Sequence, residues 1–280
     1  MIHKTHVRID GGAPPRYMLL PGDPGRVPQI GTAWDEYTEV SFNREYRYGR
    51  GKIDGVEIGA CSTGIGAPST EIALMELAAA GSETFVRVGM CGAAQAHIAP
   101  GTLVIAEGAV RLVGAADAYC DRSYPAIADR DVTFALIEAC EQLRVPFVVG
   151  LTASTDSFFA GQDNAFPLDL DLPEKPGFAE SMRRLGVATF EMEAAMIFVL
   201  GRLLGRRTGS ICAVESNRVT GERSAQPDAI RSAWIVASRA IAILAGWDAR
   251  RTAAQREYVS ASLLAGTDSL NERPVNVKEF

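Results

Sequence analysis

Four short stretches of this sequence combine residue types that could do chemistry, and each also has an ordinary structural interpretation. The first, PGDPGR at residues 21–26, joins a tight turn, backbone N–H groups and the guanidinium of Arg26. Such a turn can hold an anion, although the same composition is typical of a plain surface turn. The second, STGIGAPS at residues 62–69, fits a ligand-binding turn between a strand and a helix, or glycines that let the helix pack closely on the strand.

The third stretch, RVGMCG at residues 87–92, contains an arginine near the end of an otherwise apolar run. A guanidinium in a covered strand is costly unless it has a partner. The sequence leaves two partners open for Arg87. One is an anion bound at the carboxyl end of the strand, where open α/β sheets bind ligands, and this interpretation is favoured. The other is a buried carboxylate.

The fourth stretch, FEMEAA at residues 190–195, places Glu191 and Glu193 two residues apart, so both carboxylates project to one side if the backbone stays extended. Two neighbouring carboxylates can accept hydrogen bonds from the adjacent hydroxyls of a ribose. Taken without other information, the two residues are more typical of acidic side chains at a helix start, where they interact with the helix dipole.

The elements that must position these stretches alternate between short apolar runs and longer helical patterns. This alternation predicts an α/β protein with three layers, α/β/α, around a central mixed, largely parallel twisted sheet. Ser69 is expected to cap its helix, the strand at 147–152 to be buried, and the loop at 156–177 to be functional or mobile. We predict strands at 17–20, 56–63, 84–89, 103–106, 147–152, 187–191 and 208–213, and helices at 69–80, 131–143, 178–185, 194–204 and 227–245.

Composition limits the class of protein. The 280 residues include 28 Lys and Arg against 34 Asp and Glu, a formal net charge of −6 that argues against a protein which coats nucleic acid or membrane. The five cysteines are scattered, no His, Asp and Glu spacing suits a metal, and no nucleophile elbow is present. We expect a cytoplasmic protein with no metal, one domain over residues 1–247 and a polar C-terminal extension over residues 248–280.

Six runs in register carry a resemblance to a known family. The runs PGDPGRV, NREY, CSTGIGAPS, RVGMCGA, TDSFFAGQ and FEMEAA occur in this order. Together they resemble the nucleoside phosphorylase-I family, and within it the uridine phosphorylase branch, over about residues 6–244. The resemblance implies phosphate-dependent cleavage of the N-glycosidic bond of a nucleoside, with a pyrimidine favoured, to a free base and ribose 1-phosphate. Inorganic phosphate would be a co-substrate, and no cofactor is implied.

The resemblance also implies roles for individual residues. Arg44 and His6 would be lent from a neighbouring subunit, so the smallest active unit would be a homodimer, with a trimer of dimers by analogy with the family. Arg87, Gln162 and Arg218 would be catalytic. The remaining assignments are Gly22, Arg26, Arg44, Arg87 and Met90 for phosphate; His6, Glu191, Met192 and Glu193 for ribose; and Phe158, Gln162, Asn164, Glu215 and Ser216 for the base.

Three departures from the family pattern keep alternatives open. Met90 stands where the family has a hydroxyl that touches phosphate, and Asn164 stands where uridine phosphorylases carry an arginine. Glu215 and Ser216 replace the apolar pair that lines the uracil pocket. The alternatives are a purine-accepting phosphorylase, a nucleosidase of the same fold that uses water, and a non-catalytic nucleoside-binding member.

Overall fold

A single mixed sheet with helices on both faces organises the chain. The computed structural model describes residues 5–164, 177–224 and 229–266. The strands are β1 (Tyr17–Pro21), β2 (Glu36–Asn43), β3 (Tyr46–Ile53), β4 (Val56–Cys61), β5 (Thr84–Ala93), β6 (Leu103–Leu112), β7 (Ala126–Ile127), β8 (Phe147–Thr155), β9 (Val187–Glu191) and β10 (Arg207–Asn217). The helices are α1 (Arg26–Gly31), α2 (Ala67–Ala80), α3 (Arg130–Leu143), α4 (Phe178–Arg184), α5 (Ala194–Leu203), α6 (Ala229–Ala253) and α7 (Ala261–Ala265).

The pairing of the strands closes one half of the sheet into a ring. Strand β5 pairs in parallel with β10 and antiparallel with β9, while β10 pairs with β6, β6 with β8, and β8 with β9. The other half is open and runs from β5 through β1, β4 and β3 to β2. The mixed α/β sheet is confirmed. Its closure into a ring was not visible in the sequence, because periodicity gives no information on pairing.

Two hydrophobic cores lie on opposite faces of the sheet and make the three layers. Helices α2 and α5 cover one face, where Leu74, Leu77 and Phe198 are buried. Helices α1, α3 and α6 cover the other, where residues such as Leu136 and Ile241 are buried. Because both faces are covered, the backbone at the strand ends is held rigidly on each side, as a precise binding site requires.

Several local expectations differ from the structure. Helix α2 begins at Ala67 with Gly66 as its N-cap, so Ser69 is not the cap; its hydroxyl instead donates to the carbonyl of Thr63 and to the Glu45 carboxylate. The first half of β8 is partly exposed, so the expectation of a buried strand there was wrong. The hairpin of β2 and β3 was not predicted, because the largely exposed β2 lacks an apolar run. Pro227 lies outside the described residues.

Helix α6 crosses the proposed boundary at residue 247. Asp248, on its next turn, is buried and accepts hydrogen bonds from Arg207 at 2.7 and 2.9 Å and from the Tyr17 hydroxyl at 2.8 Å. By length and composition alone this helix is apolar enough to span a membrane, but Val236, Leu244 and other residues on its inner face pack on the sheet. It is therefore a core helix of the fold, and the hydrogen bonds of Asp248 join its C-terminal half to β10 and β1.

Replacing Asp248 by Asn should lower the free energy of unfolding near pH 7 by about 2–4 kcal/mol, because a partly buried guanidinium loses its counter-charge. Burial alone would raise the pKa of Asp248, but hydrogen bonds from Arg207 and Tyr17 outweigh it and lower this pKa. The carboxylate therefore stabilises the fold above its unfolded-state pKa, about 4, and that stability is lost as pH falls through the folded-state pKa.

Urea denaturation should accordingly show a large difference in the free energy of unfolding between wild type and D248N near neutral pH, and this difference should shrink below about pH 4. Asp54→Asn is the matched control, because its ion pair with Arg239 is exposed and is worth at most about 1 kcal/mol. A D248N loss no larger than that of D54N would contradict the anchoring role.

Candidate active site

A cavity of about 890 Å³ lies where the glycine-rich turns meet. The turns that follow β1 and β4, the last part of β5, the end of β9 and the bulged end of β10 all contribute to it. Of the residues assigned from the sequence, all except His6 and Arg44 line this cavity: Gly22, Arg26, Arg87, Met90, Phe158, Gln162, Asn164, Glu191, Met192, Glu193, Glu215, Ser216 and Arg218. Stretches that are far apart in the sequence therefore meet around one space.

Two glycine turns line the cavity and lie directly against each other. The backbone N–H of Gly64 donates to the carbonyl of Gly22 at 3.0 Å. A Cβ atom on Gly22 would lie 3.1 Å from the carbonyl oxygen of Gly64, so a side chain there would force the two turns apart. This close approach leaves room beside them for the guanidinium of Arg26.

Arg26 has the properties of a cation that lacks a strong partner. Its Nη2 lies 3.0 Å from the Met90 sulfur, and its nearest described carboxylate, Asp23, is 3.9 Å away. Burial lowers the pKa of Arg26, and the neighbouring charge of Arg87 adds to this effect. A thioether is a weak acceptor. An anion that binds beside Arg26 would therefore replace its weak contact with Met90 by a charge-assisted hydrogen bond.

Arg87 is held by two buried carboxylates. Its Nε lies 2.8 Å from Glu191 Oε2 and its Nη2 lies 2.6 Å from Glu193 Oε2, and all three side chains are at most 5% exposed. The buried carboxylate partner left open by the sequence is therefore present, and the same side chain also borders the cavity. Burial alone would lower the pKa of Arg87, but Glu193 and Glu191 outweigh it and raise this pKa above its usual value.

The two glutamates differ in what they can still bind. Glu191 accepts hydrogen bonds from the backbone N–H groups of Glu193 and Ala194 at 2.8 Å and from the Ser154 hydroxyl, besides the contact with Arg87. Its Oε2 has three partners and its Oε1 has one, and the two N–H bonds make Glu191 the anchor of the α5 start, as its position in the sequence favoured. That both carboxylates bind the ribose diol stays a prediction, in which Glu191 can take part through Oε1.

Glu193 retains capacity for a ligand. Its Oε1 accepts the N–H of Gly66 at 2.6 Å, its Oε2 meets Arg87, and each oxygen has a second lone pair. Gly66 has φ +91°, a conformation that favours glycine and that directs its N–H at the carboxylate. Burial raises the pKa of Glu193, against the opposing charge of Arg87. Glu193 is thus the acidic side chain suited to bind a sugar hydroxyl.

Another part of the cavity lining is built around Arg218. Its guanidinium donates to the Gln162 carbonyl at 2.7 Å, to Gln162 Oε1 at 2.6 Å and to Asn164 Oδ1 at 2.6 Å, and it lies 5.3 Å from the centre of the Phe190 ring. A Cβ on Gly92 would come within 2.5 Å of its Nε, so this arginine requires glycine beneath it. Burial lowers the pKa of Arg218, again without a carboxylate partner among the described contacts.

Gln162 does not offer a free amide to the cavity in this conformation. Its Nε2 donates to the Thr155 hydroxyl at 2.8 Å and its Oε1 accepts from Arg218, while the side chain is almost fully buried. To read a base edge directly, as the resemblance implies, it would have to exchange one of these partners. Phe158 and Phe159, which meet edge to face with ring centres 5.3 Å apart, form the exposed apolar rim here.

Glu215 reaches the cavity through an irregularity of the sheet. The pairing of β10 with β5 shifts register between Val214 and Ser216, so Glu215 is the extra residue of a bulge. Bulges re-aim side chains and are frequent beside active sites. Glu215 is half exposed and lies 3.4 Å from Arg223, which also lines the cavity. Glu215 was predicted from the sequence, whereas Arg223, Cys91 and Phe159 were not, because only the folded chain brings them to the cavity.

His6 and Arg44 lie outside the cavity of their own chain. The Asn43 amide donates to the His6 carbonyl at 2.9 Å, and Arg44 is the next residue, exposed in the tight turn between β2 and β3 with φ +55°. The two residues missing from the cavity therefore lie beside each other on one surface. Within the described residues, no group of three His, Cys, Asp or Glu side chains could hold a metal ion.

The chain was compared with known proteins. The model of the phosphorylase superfamily matches residues 16–246. A uridine phosphorylase of Thermococcus kodakarensis is 49% identical over 244 residues, 87% of each chain. A guanosine phosphorylase of Halorubrum lacusprofundi is 36% identical, covering 80% of this chain and 87% of the relative. The Escherichia coli uridine phosphorylase is 37% identical, covering 73% of this chain and 81% of the relative.

Removal of Arg87 should destabilise the protein, because two buried carboxylates would lose their counter-charge. Arg87→Met is expected to lower the free energy of unfolding by about 3–5 kcal/mol, measured from urea denaturation near neutral pH. Arg26→Met is the matched control, since Arg26 borders the same cavity but has no buried carboxylate partner among the described contacts. Equal losses for the two variants would contradict the structural role of Arg87.

Proposed function

Since this chain belongs to the phosphorylase superfamily, we propose that it cleaves the N-glycosidic bond of a pyrimidine ribonucleoside with inorganic phosphate. The products are the free base and ribose 1-phosphate, and the best candidate substrate is uridine. The relatives named uridine phosphorylase support this choice, with up to 49% identity over most of the chain. The enzyme is accordingly a pentosyltransferase.

The observation that carries the proposal is the set of charged groups that line one cavity. Arg26 supplies a cation beside the paired glycine turns, Arg87 is paired with Glu193, and Arg218 supplies a second cation beside Gln162 and Asn164. A nucleoside and phosphate need such groups: an anion site, an acceptor for sugar hydroxyls, and donors for base carbonyls. The 890 Å³ of the cavity accommodates both substrates at once.

The geometry suggests how the reaction proceeds. A phosphate oxygen held by Arg26 and the accessible edge of Arg87 forms the new bond to C1′, while the bond from C1′ to the base nitrogen breaks and its electron pair leaves with the base. The sugar carries positive charge in the transition state, and in this proposal Glu193 stabilises that charge and fixes a hydroxyl. Arg218 stabilises the departing base anion, which takes up, by way of water, the proton that the attacking hydrogenphosphate releases.

The same charges favour phosphorolysis over hydrolysis by water and over binding without a reaction. A nucleosidase activates water and has no need for a cluster of arginines at the attacking side. Burying Arg26 without a close partner costs the free protein stability. A protein that only binds a nucleoside would not need to bear this cost in the same cavity as a carboxylate suited to a sugar. We therefore rank phosphorolysis above hydrolysis and above binding alone.

A purine nucleoside is a second candidate because of Glu215 and Ser216. The carboxylate of Glu215 can accept a hydrogen bond from an amino or ring N–H group, which an apolar pair at this position could not do. The relative named guanosine phosphorylase, 36% identical to this chain, supports the same possibility. Guanosine is therefore the purine substrate to test first.

The remaining proposals follow from the resemblance. We propose a cytoplasmic homodimer as the smallest active unit, with His6 and Arg44 serving the partner's cavity, and a trimer of such dimers as the complete assembly. The exposed position of Arg44 beside His6 supports this arrangement. No metal or other cofactor is proposed, because phosphate is itself the nucleophile.

The test is release of uracil from uridine with and without inorganic phosphate. We expect cleavage to depend on phosphate and to yield ribose 1-phosphate, identified by phosphorus NMR, and Arg26→Ala to lower kcat/KM for phosphate by about 100-fold, because a charge-assisted hydrogen bond is lost. Guanosine, inosine and cytidine are assayed in parallel. Equal rates without phosphate, or ribose as the product, would contradict phosphorolysis.

Met90→Thr should improve the use of phosphate. A threonine hydroxyl can donate to a phosphate oxygen, whereas the Met90 sulfur only accepts a contact from Arg26. We expect KM for phosphate to fall by up to about tenfold, with KM for uridine unchanged. Met182→Thr makes the same chemical change in α4, away from the lining of the cavity, and is the control. An unchanged or higher KM for phosphate in M90T would show that Met90 does not limit phosphate binding.

A further inference from the structure

Glu76 gathers an unusual number of hydrogen bonds outside the cavity. This buried carboxylate of α2 accepts the backbone N–H groups of Thr5 at 3.2 Å, His6 at 3.1 Å and Val7 at 2.7 Å. Its side chain is 7% exposed. Three consecutive N–H groups converging on one carboxylate fix the backbone of the segment that precedes β1, and Val7 is fully buried beside it.

The same carboxylate also binds the imidazole of His6. His6 Nδ1 lies 2.8 Å from Glu76 Oε1, and the ring lies edge-on to Tyr46 with centres 6.2 Å apart. Because Glu76 acts here as an acceptor toward three N–H groups, Nδ1 is assigned as the donor of the fourth bond. A neutral ring that carries its proton on Nδ1 has a lone pair on Nε2, and that nitrogen is the one able to accept a hydrogen bond.

The imidazole is presented on the molecular surface together with Arg44. The side chain of His6 is 34% exposed, and its carbonyl accepts the Asn43 amide immediately before Arg44. Neither His6 nor Arg44 borders the cavity of its own chain. Glu76 and Asn43 therefore join the N-terminal segment and the β2–β3 turn into one rigid unit that faces outward.

We propose that Glu76 is a positioning residue for the reaction. It fixes the orientation and tautomer of His6, so that Nε2 accepts a hydrogen bond from the sugar 5′-hydroxyl of a nucleoside bound to a second copy of this chain. The inference rests on the proposed function, which supplies the nucleoside and the role of His6. Glu76 itself touches neither substrate, and its influence passes through the imidazole.

The test compares uridine with 5′-deoxyuridine, which lacks the hydroxyl in question. Glu76→Gln should lower kcat/KM for uridine by about tenfold and leave kcat/KM for 5′-deoxyuridine unchanged, because only the former uses His6. His6→Ala should show the same pattern, and adding E76Q to H6A should cause no further loss. Glu71→Gln, on the same helix, is the matched control, since Glu71 contacts Tyr119 and not His6.

A second measurement does not depend on any Glu76 variant folding. Nitrogen NMR of ¹⁵N-histidine-labelled wild type, with the His6 signals assigned through H6A, should show a protonated Nδ1 and an unprotonated Nε2 at neutral-to-alkaline pH. The opposite tautomer would overturn the proposal. So would a fall in kcat/KM that is equal for the two nucleosides in E76Q, that is additive in the double variant, or that is absent for uridine. Absence of phosphate-dependent cleavage by the wild type would instead refute the proposed function, and the tautomer would still be readable.

Discussion

The ion triad of Arg87 with Glu191 and Glu193 is the interaction on which the rest of the structure depends. It joins β5 to the end of β9 and the start of α5 in the interior, where one guanidinium offsets two carboxylates. A buried charge group of this kind tolerates little displacement, because each lost partner leaves an uncompensated charge in a region of low dielectric. The same three side chains line the cavity, so the fold and the site are fixed by one set of bonds.

The closed ring of strands explains why the triad can exist. Strand β5 is paired along most of its length with β10 and, at its end, with β9, and the ring returns through β6 and β8. Closure brings the end of β9 beside the end of β5, although more than a hundred residues separate Arg87 from Glu191 in the sequence. An open sheet with the same helices would leave these two ends free to separate, and the arginine would lose its partners.

The sequence predicted much of this and missed the rest for identifiable reasons. The strand at 187–191 was predicted with its observed bounds because an apolar run follows Gly186, and all but two of the assigned site residues line one cavity. The hairpin of β2 and β3 was missed because an exposed edge strand has no apolar pattern. Glu76 was missed because a glutamate in a helix is ordinary in sequence, and only the folded chain brings the backbone of Thr5, His6 and Val7 to it.

The hydrogen-bond partners of each side chain distinguish the residues that hold this site together from the residues that are available to bind a ligand. Glu191 and Gln162 have partners at both of their polar ends, so they hold other residues in place. Arg26 and Arg218 are partly buried, have lowered pKa values, and lack a close carboxylate among the described contacts. The free protein therefore bears a desolvation cost at two cations that bound anionic oxygen would offset. Because both cations line one cavity together with Glu193, this offset is largest for ligands that bring negatively charged oxygen to the arginines and a hydroxyl donor to the carboxylate.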